Sequence, residues 1–239
     1  MSEKVIKNNN SQKVITTMRR FEMKYILNEK QCDYLLNELA NHMCIDEYGL
    51  TTIASIYYDT PNFQLIRASI EKPKFKEKIR LRYYSSNKKT YLELKRKFKN
   101  LVYKRRIEES ENAINKFFSY EGDLSIDGQI AKEIVEFRNH YKTLVPAILI
   151  VYDRIAYYET DGDLRLTIDR NLRFRNKDLN FKNLDDGELL LPKGNAVLEI
   201  KVQESMPLWL TNILSKGQIY KTSFSKVGEA YKKEMQYLD

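Results

Sequence analysis

The chain has 239 residues, 42% of them hydrophobic and 12% aromatic, which is enough apolar material for a real core. Lys and Arg outnumber Asp and Glu by 41 to 33, and the net charge of +8 points to an anionic partner: nucleic acid, a phosphorylated metabolite or an acidic membrane. No apolar run approaches the roughly 20 residues of a membrane span, AILIVY (147–152) being among the longest. The opening MSEKVIKNNNSQKVITT is polar and lacks a signal core, so residues 1–17 read as a disordered tail. Cys32 and Cys44 show no metal-ligand spacing and read as free thiols in a reducing compartment. A soluble cytoplasmic protein is the expectation, with residues 18–239 forming a single domain.

In chain order, RFEMKYIL (20–27) alternates as a strand and precedes a helix over about 29–42 that Asn28 and Gln31 open as a capping pair. SIYYDT (55–60) is a strand, followed by a short helix with Thr60 as cap and Pro61 in its first position. KIRLRYY, TYLELKRK and VYKRRIEE are three successive strands, the first two joined as a hairpin by SSNKK (85–89). An amphipathic helix covers about 127–142, with Ile130, Ile134 and Phe137 on one side. Strands resume at 147–159, 164–172 and 196–203, and helices at about 207–215, stopped near Gly217, and 225–237 close the chain. This order predicts one α+β domain with a large, mainly antiparallel sheet.

Side chains two apart in a strand share a face, so Arg80 and Arg82 stand side by side. At roughly 7 Å their repulsion costs about 2 kcal/mol at an effective dielectric near 20. Other strands repeat the pattern. Arg20, Glu22 and Lys24 share a face, as do Glu93 and Lys95, Lys104, Arg106 and Glu108, Arg165, Thr167 and Asp169, and Glu199 and Lys201; Arg154 interrupts an apolar strand. For one strand this pattern describes a solvated outer face. Repeated so often, and with arginine so frequent, it also fits a sheet closed on itself, its charged faces lining a lumen and its apolar faces packed outward against helices. A ligand with several negative charges between the arginines would relieve the repulsion, and the few carboxylates could hold a divalent metal.

Other chemical motifs are scarce. No G-x-x-x-x-G-K-[ST], G-x-S-x-G, H-E-x-x-H or paired C-x-x-C occurs. His42 and His140 fall on predicted helices away from the charged strands and read as structural or exposed. Ser225 and Lys226 at the start of the last helix make either an anion site or an ordinary cap beside a solvated lysine.

Taken together and in order, RFEMKY, KIRLRYY, YLELKRK, VYKRR, YDRIAY, LRLTIDRNL, VLEIKV and SFSKVGEAY resemble the catalytic domain of the VTC (vacuolar transporter chaperone) family, from about residue 18 to 235. That family is the polyphosphate polymerase branch of the CYTH, or triphosphate tunnel metalloenzyme, superfamily. The resemblance implies a closed eight-stranded antiparallel β-barrel with helices outside. It implies Lys24, Arg80, Arg82, Lys95, Lys104, Arg154 and Arg165 as tunnel cations on the triphosphate and growing chain, with Arg20 and Arg106 on the same faces. It also implies Glu199 as a metal ligand (Mn²⁺ or Mg²⁺) with Lys201 beside it, and Ser225 and Lys226 as a further phosphate contact. The superfamily's E-x-E-x-K signature reads R-F-E-M-K here; the missing carboxylate weakens two-metal hydrolysis and suits a tunnel that retains a polyanion. The implied activity is transfer of the γ-phosphoryl of ATP to inorganic polyphosphate, with no nucleic-acid partner. Two alternatives stand beside it: a triphosphatase using Glu22 or Glu93 to activate water, and a non-enzymatic polyanion-binding module.

Overall fold

The computed structural model describes residues 21–99 and 101–236; the 1–17 tail and Arg20 lie outside them. Eight longer strands carry the fold: β1 (Phe21–Leu27), β3 (Thr51–Asp59), β4 (Phe75–Tyr84), β5 (Lys89–Phe98), β6 (Leu101–Glu108), β7 (Val145–Tyr158), β8 (Arg165–Arg175) and β10 (Ala196–Val202). Three two-residue strands complete the sheet: β2 (Cys44–Ile45), β9 (Glu188–Leu189) and β11 (Lys221–Thr222). The main path is β11-β1-β10-β8-β7-β3-β4-β5-β6, and every pairing is antiparallel.

The expected closed barrel is corrected here. The two ends of the path are not joined by backbone pairing among the described residues, because β11 occupies the outer edge of β1 at Lys24 and Tyr25. The sheet nevertheless curls. Lys95 on β5 lies six steps along the path from Glu22 on β1, which in a flat sheet is about 29 Å, yet Lys95 Nζ and Glu22 Oε2 are 3.8 Å apart. Side chains, not a ladder, bridge the gap.

Burial follows strand parity. On the convex side α1 (Glu29–Leu39) and α5 (Leu208–Lys216) cover one half of the sheet, where Leu35, Leu39 and Leu210 pack with Leu27, Leu166, Leu198 and Ile200. α3 (Glu111–Phe118) and α4 (Gln129–Tyr141) cover the other, where Ile114, Phe117, Ile134 and Phe137 pack with Ile56, Ile79, Leu81, Leu92 and Leu94. A third cluster lies inside the curl: Phe224, together with Val227 and Ala230 of α6 (Lys226–Gln236) and Ile66 of α2 (Gln64–Glu71), meets Tyr57, Ile148, Ile150 and Val197. The concave face is thus apolar at the end where α6 sits and charged elsewhere.

Most helix starts follow the sequence. Asn28 Oδ1 accepts from Gln31 N at 2.9 Å and Gln31 Oε1 from Asn28 N at 3.1 Å, the expected capping box. α2 differs: it begins at Gln64, not Pro61, because the buried Asp59 carboxylate accepts from the Leu65 and Ile66 amides at 2.9 and 2.8 Å and displaces Thr60 as its main cap. α3 was not foreseen from periodicity; it has only two turns, and its clearest signal is Ser110, which caps it at Ala113 N.

Candidate functional site: a cationic concave face

Register brings the predicted residues together. Arg80 and Arg82 of β4 stand opposite Glu93 and Tyr91 of β5, and Lys95 stands between Lys78 of β4 and Lys104 of β6. On the other side of the curl, Lys24 opposes Glu199, Glu22 opposes Lys201, Lys201 opposes Arg165, and Arg154 opposes Asp169. All these side chains share the concave face by parity.

One half centres on Glu93, which is 2% exposed. Arg80 donates to its Oε2 from Nε and Nη2 at 2.9 and 2.8 Å, Arg82 Nη1 lies 3.6 Å from the same oxygen, and Lys104 and Arg106 lie 2.8 and 3.6 Å from Oε1. Burial opposes ionisation, but Arg80, Arg82 and Lys104 outweigh it and hold the carboxyl well below the usual range. The expectation that only a bound polyanion relieves the Arg80–Arg82 repulsion is therefore corrected: Glu93 already stands between them. Arg80 Nη1 also donates to Tyr57 OH at 2.8 Å, and Arg82 Nε to Ser55 Oγ at 3.2 Å. Burial alone would raise the Tyr57 phenol; Arg80, Lys78 and Arg82 bring it down to about 7.

A second group centres on fully buried Asp169. Arg154 forks onto it at 2.6 and 2.8 Å, and Lys226 Nζ donates at 2.6 Å. Burial raises this carboxyl, and Arg154 and Lys226 bring it down to about 2. Lys226 and the N-terminus of α6 thus lie beside the concave cations: Ser225 Oγ accepts from Gly228 N at 3.3 Å and from Lys78 Nζ at 3.2 Å. The solvated-lysine reading of Lys226 does not hold.

The third group holds Glu199 and Glu22. Lys201 Nζ lies 2.6 Å from Glu199, and Lys24 Nζ lies 3.1 Å from Glu22 and 3.9 Å from Glu199. Burial opposes both charges, yet the neighbouring lysines keep both carboxyls below the normal range. Glu22 and Glu199 are also close enough for Glu199 to raise the Glu22 carboxyl. These paired hard oxygens fit a Mg²⁺- or Mn²⁺-sized ion only when phosphate oxygens complete its shell, since no group of three or more His, Cys, Asp or Glu able to hold a metal occurs among the described residues.

Arg165 lies at the rim, exposed, its guanidinium 5.2 Å from the Tyr158 ring centre. Arg106 lies 3.7 Å from the ring centre of Tyr91. The histidines are elsewhere: His42 stacks on Trp209 at 4.2 Å and His140 meets Tyr141 edge-on. Sequence reading missed three participants. Lys78 was legible by parity with Arg80; Asp169 was placed on the right face without a role; Tyr57 carried no signal beyond its strand. Burial, with Lys24, Lys95 and Arg80 nearby, pushes Lys78 down to about 8 despite Tyr57.

The sheet is thus a curled antiparallel one, with cations outnumbering carboxylates on its concave face and helices on its convex side. A family model described as the VTC domain matches residues 19–235, and the chain belongs to that family. Its fold is similar to that of a putative adenylate cyclase from Bacillus halodurans (TM-score 0.55, 14% identity, covering 87% of this chain and 96% of the other). It is also similar to the PH1819 protein from Pyrococcus horikoshii OT3 (TM-score 0.53, 16% identity, 91% and 99% covered). A third similar structure is a putative adenylyl cyclase from Hippeastrum, described as revealing a dominant triphosphatase activity (TM-score 0.53, 16% identity, 86% and 91% covered). No curated protein matches the chain by sequence. No helix among the described residues is long and apolar enough to cross a membrane.

Proposed function

We propose that this chain is a metal-dependent polyphosphate polymerase that transfers the γ-phosphoryl group of ATP to the end of an inorganic polyphosphate chain and releases ADP. The observation that carries the reading is the row Lys78–Lys95–Lys104, like charges directly opposite one another across three strands of a VTC-domain sheet. Such pairs destabilise a sheet, and a chain of closely spaced phosphates laid along them would convert the repulsion into attraction.

In this reading the protein's part is positioning and charge neutralisation, as in other phosphoryl transfers. Arg80 and Arg82, fixed by Glu93, Tyr57 and Ser55, present guanidinium forks to phosphate oxygens without reorganising. Lys24, Lys95 and Lys201 neutralise the neighbouring phosphates, and Arg154 and Lys226 hold the α6 end of the site in place through Asp169. Glu22 and Glu199 are the residues that would hold a divalent metal, which when bound draws charge from the phosphoryl oxygens. The acceptor's terminal phosphate oxygen is the nucleophile, so no side-chain base is required.

A second reading, hydrolysis of a triphosphate, is favoured by the likeness to the Hippeastrum structure. Glu93 does not suit the role of base in it, because four cations hold its carboxyl ionised far below neutrality. Incubation with ATP and Mn²⁺ or Mg²⁺, with separate assays for ADP, free phosphate and long polyphosphate, distinguishes the two. Polyphosphate appearing in step with ADP is the expected result. Free phosphate in place of polymer would make the chain a triphosphatase, and no turnover, with polyphosphate still bound, a binding module.

A further inference from the structure

The three-stranded β4–β5–β6 segment carries a second surface outside the concave face. On its convex side α4 reaches as far as Glu77, Arg96 and Arg105: Tyr141 OH donates to Glu77 at 2.9 Å, and Glu133 pairs with Arg105 at 2.8 Å and Arg96 at 3.7 Å. Beyond that limit the same face continues uncovered. Phe75 is 50% exposed, Phe98 48% and Leu101 43%. Phe75 stands opposite Phe98 and Phe98 opposite Leu101, so the three form one patch across three strands.

Lysines rim it. Lys72, Lys74 and Lys99 are exposed, Lys99 N donates to Lys74 O at 2.7 Å, and Lys99 Nζ lies 5.5 Å from the Phe98 ring centre. None of the three has an ion pair among the described residues, and exposed Glu71 is the acidic neighbour in sequence. Exposed aromatic rings ringed by unpaired cations are a poor surface for water and a good one for an interface that is apolar inside and anionic outside.

We infer that this patch docks on an anionic lipid surface, with Phe75, Phe98 and Leu101 entering the headgroup region and Lys72, Lys74 and Lys99 facing the lipid phosphates and carboxylates. The inference is independent of the polymerase reading, because Phe75, Phe98 and Leu101 lie on the convex face by strand parity. Charge complementarity together with the apolar centre selects the partner: inorganic polyanions and duplex nucleic acid would use the lysines and leave the rings in water, and a single strand, whose bases can stack on Phe75 and Phe98, offers no acyl region to take Leu101.

Co-sedimentation with vesicles of phosphatidylcholine alone, or mixed with phosphatidylserine, tests it, in saturating tripolyphosphate to occupy the concave cations. Binding is expected only to the anionic vesicles. It should fall at least about fivefold in Phe75→Ser/Phe98→Ser and in Lys72→Glu/Lys74→Glu/Lys99→Glu, each checked by thermal melt. Phe75→Trp, a milder change, should show a blue-shifted emission on anionic vesicles relative to the parent. Unchanged binding of both multiple variants, release of the parent by tripolyphosphate, or an unshifted emission from Phe75→Trp would each overturn the proposal. So would variants that lose single-stranded DNA but keep vesicles.

Discussion

Glu93 stands directly opposite Arg80 in the β4–β5 ladder and takes two hydrogen bonds on one oxygen, from Nε at 2.9 Å and Nη2 at 2.8 Å. The carboxylate is an internal counter-ion for the cations that the proposed substrate would also engage. Glu93→Gln keeps the shape and removes the charge, leaving Arg80, Arg82, Lys104 and Arg106 to repel. Breaking a buried pair costs 3–5 kcal/mol in general; the cations here keep partial contact with water, so about 2 kcal/mol is expected, a fall in Tm of about 4–8 °C. Tripolyphosphate should restore more of that loss in the variant than it adds to the parent. Because the folded-state carboxyl is depressed, its stabilisation is full above the unfolded value near 4.5 and fades as the pH falls. The variant should therefore lose less stability than the parent between pH 5 and pH 3 (approximate limits). Thermal melts across that range decide it; a variant as stable as the parent at pH 7 would remove Glu93 from this role.

Arg80→Ala follows from the same contact. Two neighbouring arginines viewed alone would gain stability from losing one, since about 2 kcal/mol of repulsion is relieved. The structure reverses that sign: Arg80 holds a 2% exposed carboxylate and Tyr57 OH, so its loss leaves both under-compensated. Tm is expected to drop by several degrees, and ATP-dependent turnover by at least about tenfold, equivalent to roughly 1.4 kcal/mol. A melt beside the product assay checks both, and a variant that melts higher than the parent would restore the simple repulsion picture.

This reversal marks the boundary of what was legible in the sequence. Strand parity put Arg80, Arg82, Lys95, Arg154, Arg165 and Lys201 on one face, because a strand's period of two is local, although it did not show that Arg165 stands exposed beside Tyr158. Which carboxylate meets which cation depends on register between strands: Arg154 with Asp169 just past a bulge in the β7–β8 ladder, and Glu22 with Lys95 across the gap in the curl. Closure was over-read for a similar reason. The two residues Lys221 and Thr222 that occupy the edge of β1 are too few to show any periodicity. Asp59 as the cap of α2 was masked by the stronger local motif Thr60-Pro61.

The carboxylate pair supplies a third test. Glu199→Gln should raise the Mn²⁺ concentration needed for half-maximal turnover by about tenfold or more, and Glu22→Gln by a similar factor, if both oxygens contact the ion. Each substitution also removes a partner from two lysines: Lys201 and Lys24 for Glu199, Lys24 and Lys95 for Glu22. Metal-free tripolyphosphate binding should therefore hold or strengthen while metal dependence weakens. That opposition separates a ligand from a structural residue, for which both readouts would decline together; unchanged Mn²⁺ titrations in both variants would remove the pair as a metal site.

Lys78 supplies the sharpest pH test, because its ammonium is held down to about 8 by burial and by Lys24, Lys95 and Arg80 around it. Only the charged form serves an anion. Between pH 7 and pH 9 the protonated fraction falls from about nine-tenths to about one-tenth. Tripolyphosphate affinity should therefore begin to fall near pH 8 and keep falling up to the higher pKa of the anion-bound state, because a bound phosphate itself favours the ammonium. Stability moves the other way. The folded state gives up this proton more readily than the unfolded chain, so the anion-free protein gains stability as pH rises from about 8 towards the unfolded value near 10.5. Lys78→Arg, charged throughout, should flatten both slopes. Tyr57 also titrates in this range, near 7, and faces the same ammonium, so Tyr57→Phe is needed in both backgrounds. Calorimetric titration with tripolyphosphate at several pH values, beside anion-free melts, reads both quantities. If Lys78→Arg on Tyr57→Phe kept the full decline in affinity above pH 8, the titrating group would be another one, and Lys78 would be a spectator at the centre of the row.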